Sequence, residues 1–203
     1  MIALQDINYI SAEEYMKREH LSQTKHEYKQ GYVYAMSGAS DSHNAVSGNL
    51  YILIRNHLRA KGCRVYASDM KVRIDKLDIY YYPDLMVTCD PEDTKYNYFK
   101  KSPCLIIEVQ SPSTANFDQN EKFEDYSQIE SLQEYVIVSQ NRMNVKCFRR
   151  NSENLWVQQS YKSGDRLELK SIDLTTEIEN LYEDVVFSEI TTDRLLLPED
   201  YQS

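Results

Sequence analysis

Two acidic residues stand inside stretches of the sequence that are otherwise apolar. In YYYPDLMV, Asp84 precedes Leu85, Met86 and Val87, and in CLIIEVQS, Glu108 closes the run Leu105-Ile106-Ile107. Runs of this kind read as buried strands. A carboxylate drawn into such a strand must meet a partner or become neutral, because an unpaired buried charge costs several kcal/mol. On adjacent strands the two carboxylates lie about 5–6 Å apart and can share one cation. Side chains alternate along a strand, so Gln110 projects on the face of Glu108, and the Val109 carbonyl adds a hard oxygen. Two carboxylates, a carbonyl and water make a ligand set for Mg²⁺, or for Mn²⁺ in its place. The competing reading makes Asp84 the partner of a lysine or arginine, or the cap of a turn, and Glu108 a strand-end acid in a structural ion pair.

Downstream, Asp118, Lys122 and Tyr126 follow one another at i, i+4 and i+8, one face of a helix. One reading is a solvated face carrying an ordinary acid-to-lysine pair. In the other, Lys122 leans over the strand ends, directs its ammonium at the carboxylates, places a nucleophilic water and offsets charge on a pentavalent phosphate. Further groups suit a phosphate ligand less specifically. Ser111-Pro112-Ser113-Thr114 is a turn whose hydroxyls can meet a phosphate. Lys95, Lys100 and Lys101, interleaved with Tyr96, Tyr98 and Phe99, form either a solvated face or a loop that holds phosphates and stacks bases.

The elements that position these residues follow from pattern. Ser11 and Glu14 stand at capping-box spacing and open a first helix. KHEYKQGYVYAM alternates around Gln30-Gly31 and reads as a hairpin. From Asp41 to Ala60, Val46, Leu50, Leu53, Ile54 and Leu58 recur at three and four, predicting a helix that ends at Gly62. CRVYA with MKVRI, then IYYYPDLMV as one strand, then CLIIEV read as an antiparallel meander, with the three IYYYP tyrosines as sheet and interface residues or, in the alternative, a DNA-facing surface. A helix over about Phe117 to Ile129 precedes four more strands, EYVIV, VKCFRR, LWVQQSY and RLELK. The stretch from Ile172, with Leu174, Ile178, Leu181, Val185 and Val186, is expected to dock as partly irregular structure. The order predicts an α/β (α+β) fold, a mixed sheet flanked by helices. The domain is expected over 1–190, with a tail over 191–203.

Composition narrows the chemistry. In 203 residues, 23 Lys and Arg face 32 Asp and Glu, a net charge of −9, so any polyanion must be met by a local patch. Tyrosine accounts for 17 residues, and its large apolar ring with one hydroxyl suits an interface, predicting a homodimer. No apolar run reaches membrane-spanning length and no signal-peptide pattern opens the chain, which predicts a cytoplasmic protein without membrane contact. Cys63, Cys89, Cys104 and Cys147 form no CxxC pair and are expected as free thiols. Dinucleotide and P-loop glycine motifs, the GxSxG elbow, HExxH and zinc-type Cys/His spacings are all absent.

The ordered set KHEYKQGYVYAMSG with His43, PDLMV, EVQSPST, DQNEKFEDY and EYVIV resembles the Uma2 family of the PD-(D/E)XK restriction-endonuclease-like superfamily, over roughly residues 10 to 185. The resemblance implies a restriction-endonuclease-like sheet flanked by helices and a Mg²⁺-dependent nuclease site whose aspartate and glutamate are Asp84 and Glu108. The superfamily lysine falls at Gln110, and Lys122 of the following helix is the replacement it suggests. Glu27 matches a further acid that completes the metal site, and His43 a characteristic position near the substrate. The expected activity is endonuclease or phosphodiesterase cleavage of nucleic acid, DNA first. The alternative is a non-catalytic nuclease-fold module that binds a protein or nucleic acid.

Overall fold

How apolar strands and a few polar ones assemble is visible in a computed structural model that describes residues 9–110 and 118–187, with 118 and 119 described by backbone alone. Helix α1 (Ala12–Leu21) starts where Ser11 accepts a hydrogen bond from Glu14 N. The hairpin β1 (His26–Lys29) and β2 (Tyr32–Ala35) turns at Gln30-Gly31, both at positive φ. Helix α2 (Asp41–His57) is capped by Ser40 and ends before the expected Gly62: the Leu58 amide still donates to the Ile54 carbonyl, but the Arg59 amide turns to the Asn56 carbonyl and Ala60 takes a positive φ. Gly62 instead supplies a positive φ in the turn into β3 (Arg64–Ala67).

The expected meander is not formed. β3 and β4 (Lys71–Ile74) lie in different sheets, and IYYYPDLMV is two strands, β5 (Ile79–Tyr81) and β6 (Leu85–Thr88). The physical reason is Pro83, which has no amide to continue a ladder and biases Tyr82 to a turn-like extension, so the chain changes sheets at Tyr82-Pro83-Asp84. The short β7 (Phe99–Lys100) joins β4 in parallel, and β8 (Pro103–Gln110) follows. After a π turn at Asp118–Lys122 comes the short helix α3 (Phe123–Tyr126), then β9 (Glu134–Ser139), β10 (Asn144–Arg150), β11 (Trp156–Lys162) and β12 (Arg166–Leu169). The stretch beyond Ile172 is more regular than its pattern suggested. It contributes β13 (Leu174–Glu177), paired with β12, and a 3-10 turn at Ile178–Tyr182 that packs on α2. The boundary expected at residue 190 lies outside the described residues.

Besides the β12-β13 pair, two main sheets result among the described residues, ordered β2-β1-β5-β4-β7 and β11-β10-β9-β8-β6-β3, with β8 and β9 parallel at the centre of the larger, six-stranded one. The two faces of the larger sheet go to different cores. Leu85, Val87, Leu105, Ile107, Val136 and Val138 pack under Val46, Leu50 and Ile54 of α2. Met86, Ile106, Tyr135 and Ile137 meet Val72, Ile79, Tyr81 and Tyr126 between the sheets. Alternation thus sends Glu108, two residues from Ile106, toward α3 and the smaller sheet. Tyr80, Tyr81 and Tyr82 are buried, so they are core residues and not interface residues: β5 lies inside its sheet, between β1 and β4. No helix among the described residues is long and apolar enough to cross a membrane.

Cys63 and Cys89 form a disulfide, correcting the expectation of four free thiols. They flank the last paired residues of β3 and β6, Arg64 and Thr88, and so fall opposite each other one step beyond the ladder. Cys104 and Cys147 remain thiols.

Candidate active site

Asp84 leads into β6 and Glu108 lies near the end of β8, the antiparallel neighbour, whose ladder with β6 stops at the pair Leu85 and Ile107. Beyond that stop the two acids take over the strand's hydrogen bonding. Asp84 Oδ2 accepts from the Val109 amide at 2.7 Å, and Glu108 Oε2 accepts from the Asp84 amide at 3.2 Å. The expected proximity on neighbouring strands is therefore present as a crossed pair of backbone contacts. In an extended strand a residue's N–H and C=O point to the same side, so the Val109 carbonyl faces the gap left by β6 and not the β9 ladder.

Lys122 supplies the counter-charge. Its ammonium stands 3.1 Å from Glu108 Oε1 and 3.0 Å from Glu27 Oε1, with all three residues buried. Tyr126, one helical turn on, donates its hydroxyl to the same Glu108 oxygen at 2.9 Å, and burial beside this carboxylate pushes the phenol well above its ordinary pKa. The helical spacing of Lys122 and Tyr126 is what lets both reach one atom. Asp118's side chain is outside the described residues. The short helix is fastened to the smaller sheet through Asp125, which accepts from Lys29 and from the Tyr81 hydroxyl, each at 2.6 Å. Glu27 is set by β1 and also accepts from the Tyr82 amide at 3.1 Å, at the point where the chain changes sheets.

His43, in the first turn of α2, places Nε2 3.2 Å from Asp84 Oδ2. Two carboxylates, Glu27 and Glu108, thus flank the Lys122 ammonium, while Asp84 is joined to Glu108 through its own amide and to His43 through Oδ2. Among the described residues, Asp84 Oδ1 and Glu27 Oε2 carry no hydrogen bond or ion pair, whereas both oxygens of Glu108 are engaged. No three His, Cys, Asp or Glu side chains among the described residues already form a metal-ligating group. The donor chemistry nevertheless fits a hard divalent cation: carboxylate oxygens with an open lone pair, a strand-end carbonyl, and more negative than positive charge in a partly buried setting.

The other expected residues are placed elsewhere or less closely. Gln110 is half-buried on the face of Glu108, and its carbonyl accepts from the Gln140 amide. Ser111 lies outside the described residues. Lys100 is a correction: it is buried and donates to the Asp93 and Tyr96 carbonyls, tying its own loop together, so its ammonium is not offered to a phosphate. Lys95 pairs with Glu92, and Lys101 with Asp75, both at 2.5 Å. None of the contacts of these three lysines among the described residues reaches the acid cluster.

A second polar network behind Glu27 was not foreseen. Glu19 accepts from the His26 amide and the Tyr82 hydroxyl, both at 2.9 Å, and meets His26 Nδ1 at 3.0 Å, while buried Lys71 donates to the Tyr82 oxygen at 3.0 Å. Burial pushes the Lys71 ammonium below its ordinary pKa, opposed by Glu19. These residues sit on α1, β1, β4 and the β5–β6 link, and no local pattern joins them.

The architecture is that of a restriction-endonuclease-like fold, a mixed sheet flanked by helices. The chain belongs to the Uma2 family, described as "Putative restriction endonuclease", whose model matches residues 12–179. Two relatives in Synechocystis sp. are uncharacterized proteins. One, slr1290, is 39% identical over 88% of this chain and 94% of its own length; the other, sll1609, is 33% identical over 77% and 90%. A crystal structure from Anabaena variabilis, described as "a putative nuclease belonging to DUF820", superposes with a TM-score of 0.72 over 87% of this chain and 99% of its own, at 15% identity, and so shares the fold.

Proposed function

We propose that the chain is a divalent-metal-dependent phosphodiesterase that cleaves nucleic acid, with DNA as the first substrate to test. The observation that supports this most is the pairing of Glu108 and Glu27 with the Lys122 ammonium beside the crossed contacts of Asp84 with Glu108 and Val109, where β6 and β8 stop pairing. Asp84, Glu108 and the Val109 carbonyl would hold Mg²⁺ or Mn²⁺, with Glu27 as a further acid, and the ion when bound would polarise the scissile phosphate and lower the pKa of a water. Lys122, paired with its two acids, orients the attacking water and offsets the charge that develops on phosphorus. His43 and the Val109 amide hold Asp84 Oδ2, which would leave Oδ1 for a cation. Gln110, where the superfamily carries a lysine, contributes an amide in place of a charge. Incubating the protein with supercoiled plasmid and single-stranded oligonucleotides should give nicking and cleavage that require Mg²⁺ or Mn²⁺ and stop with chelator. Metal binding with no cleavage of either substrate would favour the non-catalytic binding module.

We also propose that the protein works as a homodimer. All four residues of β2 are exposed, Tyr32 and Tyr34 at 44% and 55%, and β2 is an open sheet edge able to pair with a second copy. Two clefts on one assembly offset the poor encounter between a chain of net charge −9 and a polyanion. Light scattering over a concentration series should return twice the chain mass, and Val33→Lys on β2 should return the monomer. A wild-type monomer at every concentration excludes the dimer.

A further inference from the structure

At the end of the larger sheet opposite the acid cluster, three sulfurs come together. The Cys63–Cys89 disulfide bridges the ends of β3 and β6, and Cys104 on β8 places its Sγ 3.9 Å from Cys89 Sγ. The approach has a cause in the strand pairing. Between β6 and β8 the register runs Val87 to Leu105 and then Thr88 to Pro103, a bulge that leaves Cys104 as the extra residue, its Sγ within reach of Cys89 and also donating to the Val87 carbonyl at 3.4 Å. Cys89 is exposed, Cys63 and Cys104 are half-buried, and a cleft of about 130 Å³ that includes Gly62, Arg64, Asp90 and Thr94 opens beside Cys89. Nothing in the nuclease-type site uses these residues.

We propose that Cys63, Cys89 and Cys104 form a thiol–disulfide exchange site, whose reactants are the protein's own third thiol and small external thiols. In the internal step Cys104 loses its proton to solvent and its thiolate attacks Cys89 Sγ. The Cys89–Cys104 bond forms, the Cys63–Cys89 bond breaks, and Cys63 leaves as a thiolate that takes up a proton, so no oxidant or reductant is consumed. A small thiol entering beside Cys89 reaches the same product in two exchanges and is itself regenerated. The product differs physically from the starting state. The covalent tie moves from the β3–β6 pair to the β6–β8 pair, which frees the edge strand β3 and the turn that links it to α2.

Burial pushes the Cys104 thiol up to about 11, so the thiolate is scarce at neutral pH and the internal step accelerates about tenfold per pH unit up to that value. The test incubates the intact chain, without reductant, at a series of pH values from neutral to about 10, quenches in acid, labels free thiols with N-ethylmaleimide in denaturant at about pH 5 and maps the peptides. The expected result is label on Cys104 and Cys147 at the start, with label on Cys63 and a Cys89–Cys104 bridge growing with time and with pH. In Cys104→Ser the Cys63 label should be absent and the Cys63–Cys89 bridge retained. Label confined to Cys104 and Cys147 at every pH overturns the proposal. So does Cys63 label that persists in Cys104→Ser, which would assign the exchange to unfolded chains, and so does labelling of all four cysteines at the start.

Discussion

Asp84→Asn is expected to abolish metal-dependent cleavage, by at least about 10³-fold, while leaving the fold within about 1 kcal/mol of wild type. The two halves of this result come from the two oxygens of one side chain. Oδ2 accepts from the Val109 amide and faces His43, whereas Oδ1 carries no hydrogen bond among the described residues. An asparagine keeps the structural contact by turning its single oxygen to the Val109 amide. Its NH₂ group then occupies the open position, and an amide nitrogen with two protons cannot ligate a cation. On the proposed reading, Mg²⁺ or Mn²⁺ raises the melting temperature of the wild type by mass action, and the variant loses that shift together with cleavage. A metal-induced shift that survives in both Asp84→Asn and Glu108→Gln would place the ion elsewhere and remove the proposed centre.

Lys122→Met is expected to lower stability by about 3–5 kcal/mol, because it leaves two buried carboxylates without their counter-charge. Glu27 and Glu108 both face that ammonium, and all three residues are buried. Methionine replaces the stem of the lysine without the charge, so lost packing contributes little. Adding Glu27→Gln should return part of the loss, since one of the two uncompensated charges is then gone, and the pair should be non-additive by about 1 kcal/mol or more. Urea denaturation of the wild type, both single variants and the double variant measures this directly. A loss below about 1 kcal/mol in Lys122→Met would mean that the ammonium is solvated, and with it the electrostatic role proposed for Lys122 would fall.

Much of the local structure could be read without coordinates. Ser11 caps the first helix and Gln30-Gly31 turns the hairpin, because each satisfies a local backbone requirement. The strands appear wherever apolar runs predict them. An acid inside such a run marks a position where chemistry outweighs burial, which is how Asp84 and Glu108 stand out, and helical spacing alone puts Lys122 and Tyr126 on one face. Glu27 and His43 carry no such local signal; only the family resemblance raised them, and the fold then places Glu27 on Lys122 and His43 on Asp84.

Sequence by itself therefore determined most of the strand segments and the first two helices, and that two acids needed a partner. The split of IYYYPDLMV, the strand beyond Ile172 and the shortening of the expected Phe117–Ile129 helix to Phe123–Tyr126 after a π turn came from the tertiary structure. Tertiary structure decided who the partners are. Pro83 splits one apolar run between two sheets, so Asp84 stands at the crossing point, and β1 delivers Glu27 to the far side of Lys122. The β3–β6 register pairs Cys63 with Cys89, and a bulge adds Cys104. Loop closure turns Lys100 inward onto carbonyls that no periodicity reveals. The physical reason is the same in each case: a strand's period tells which way a side chain points, but strand order and register are settled by contacts between segments distant in the chain, where many pairings satisfy the same local pattern.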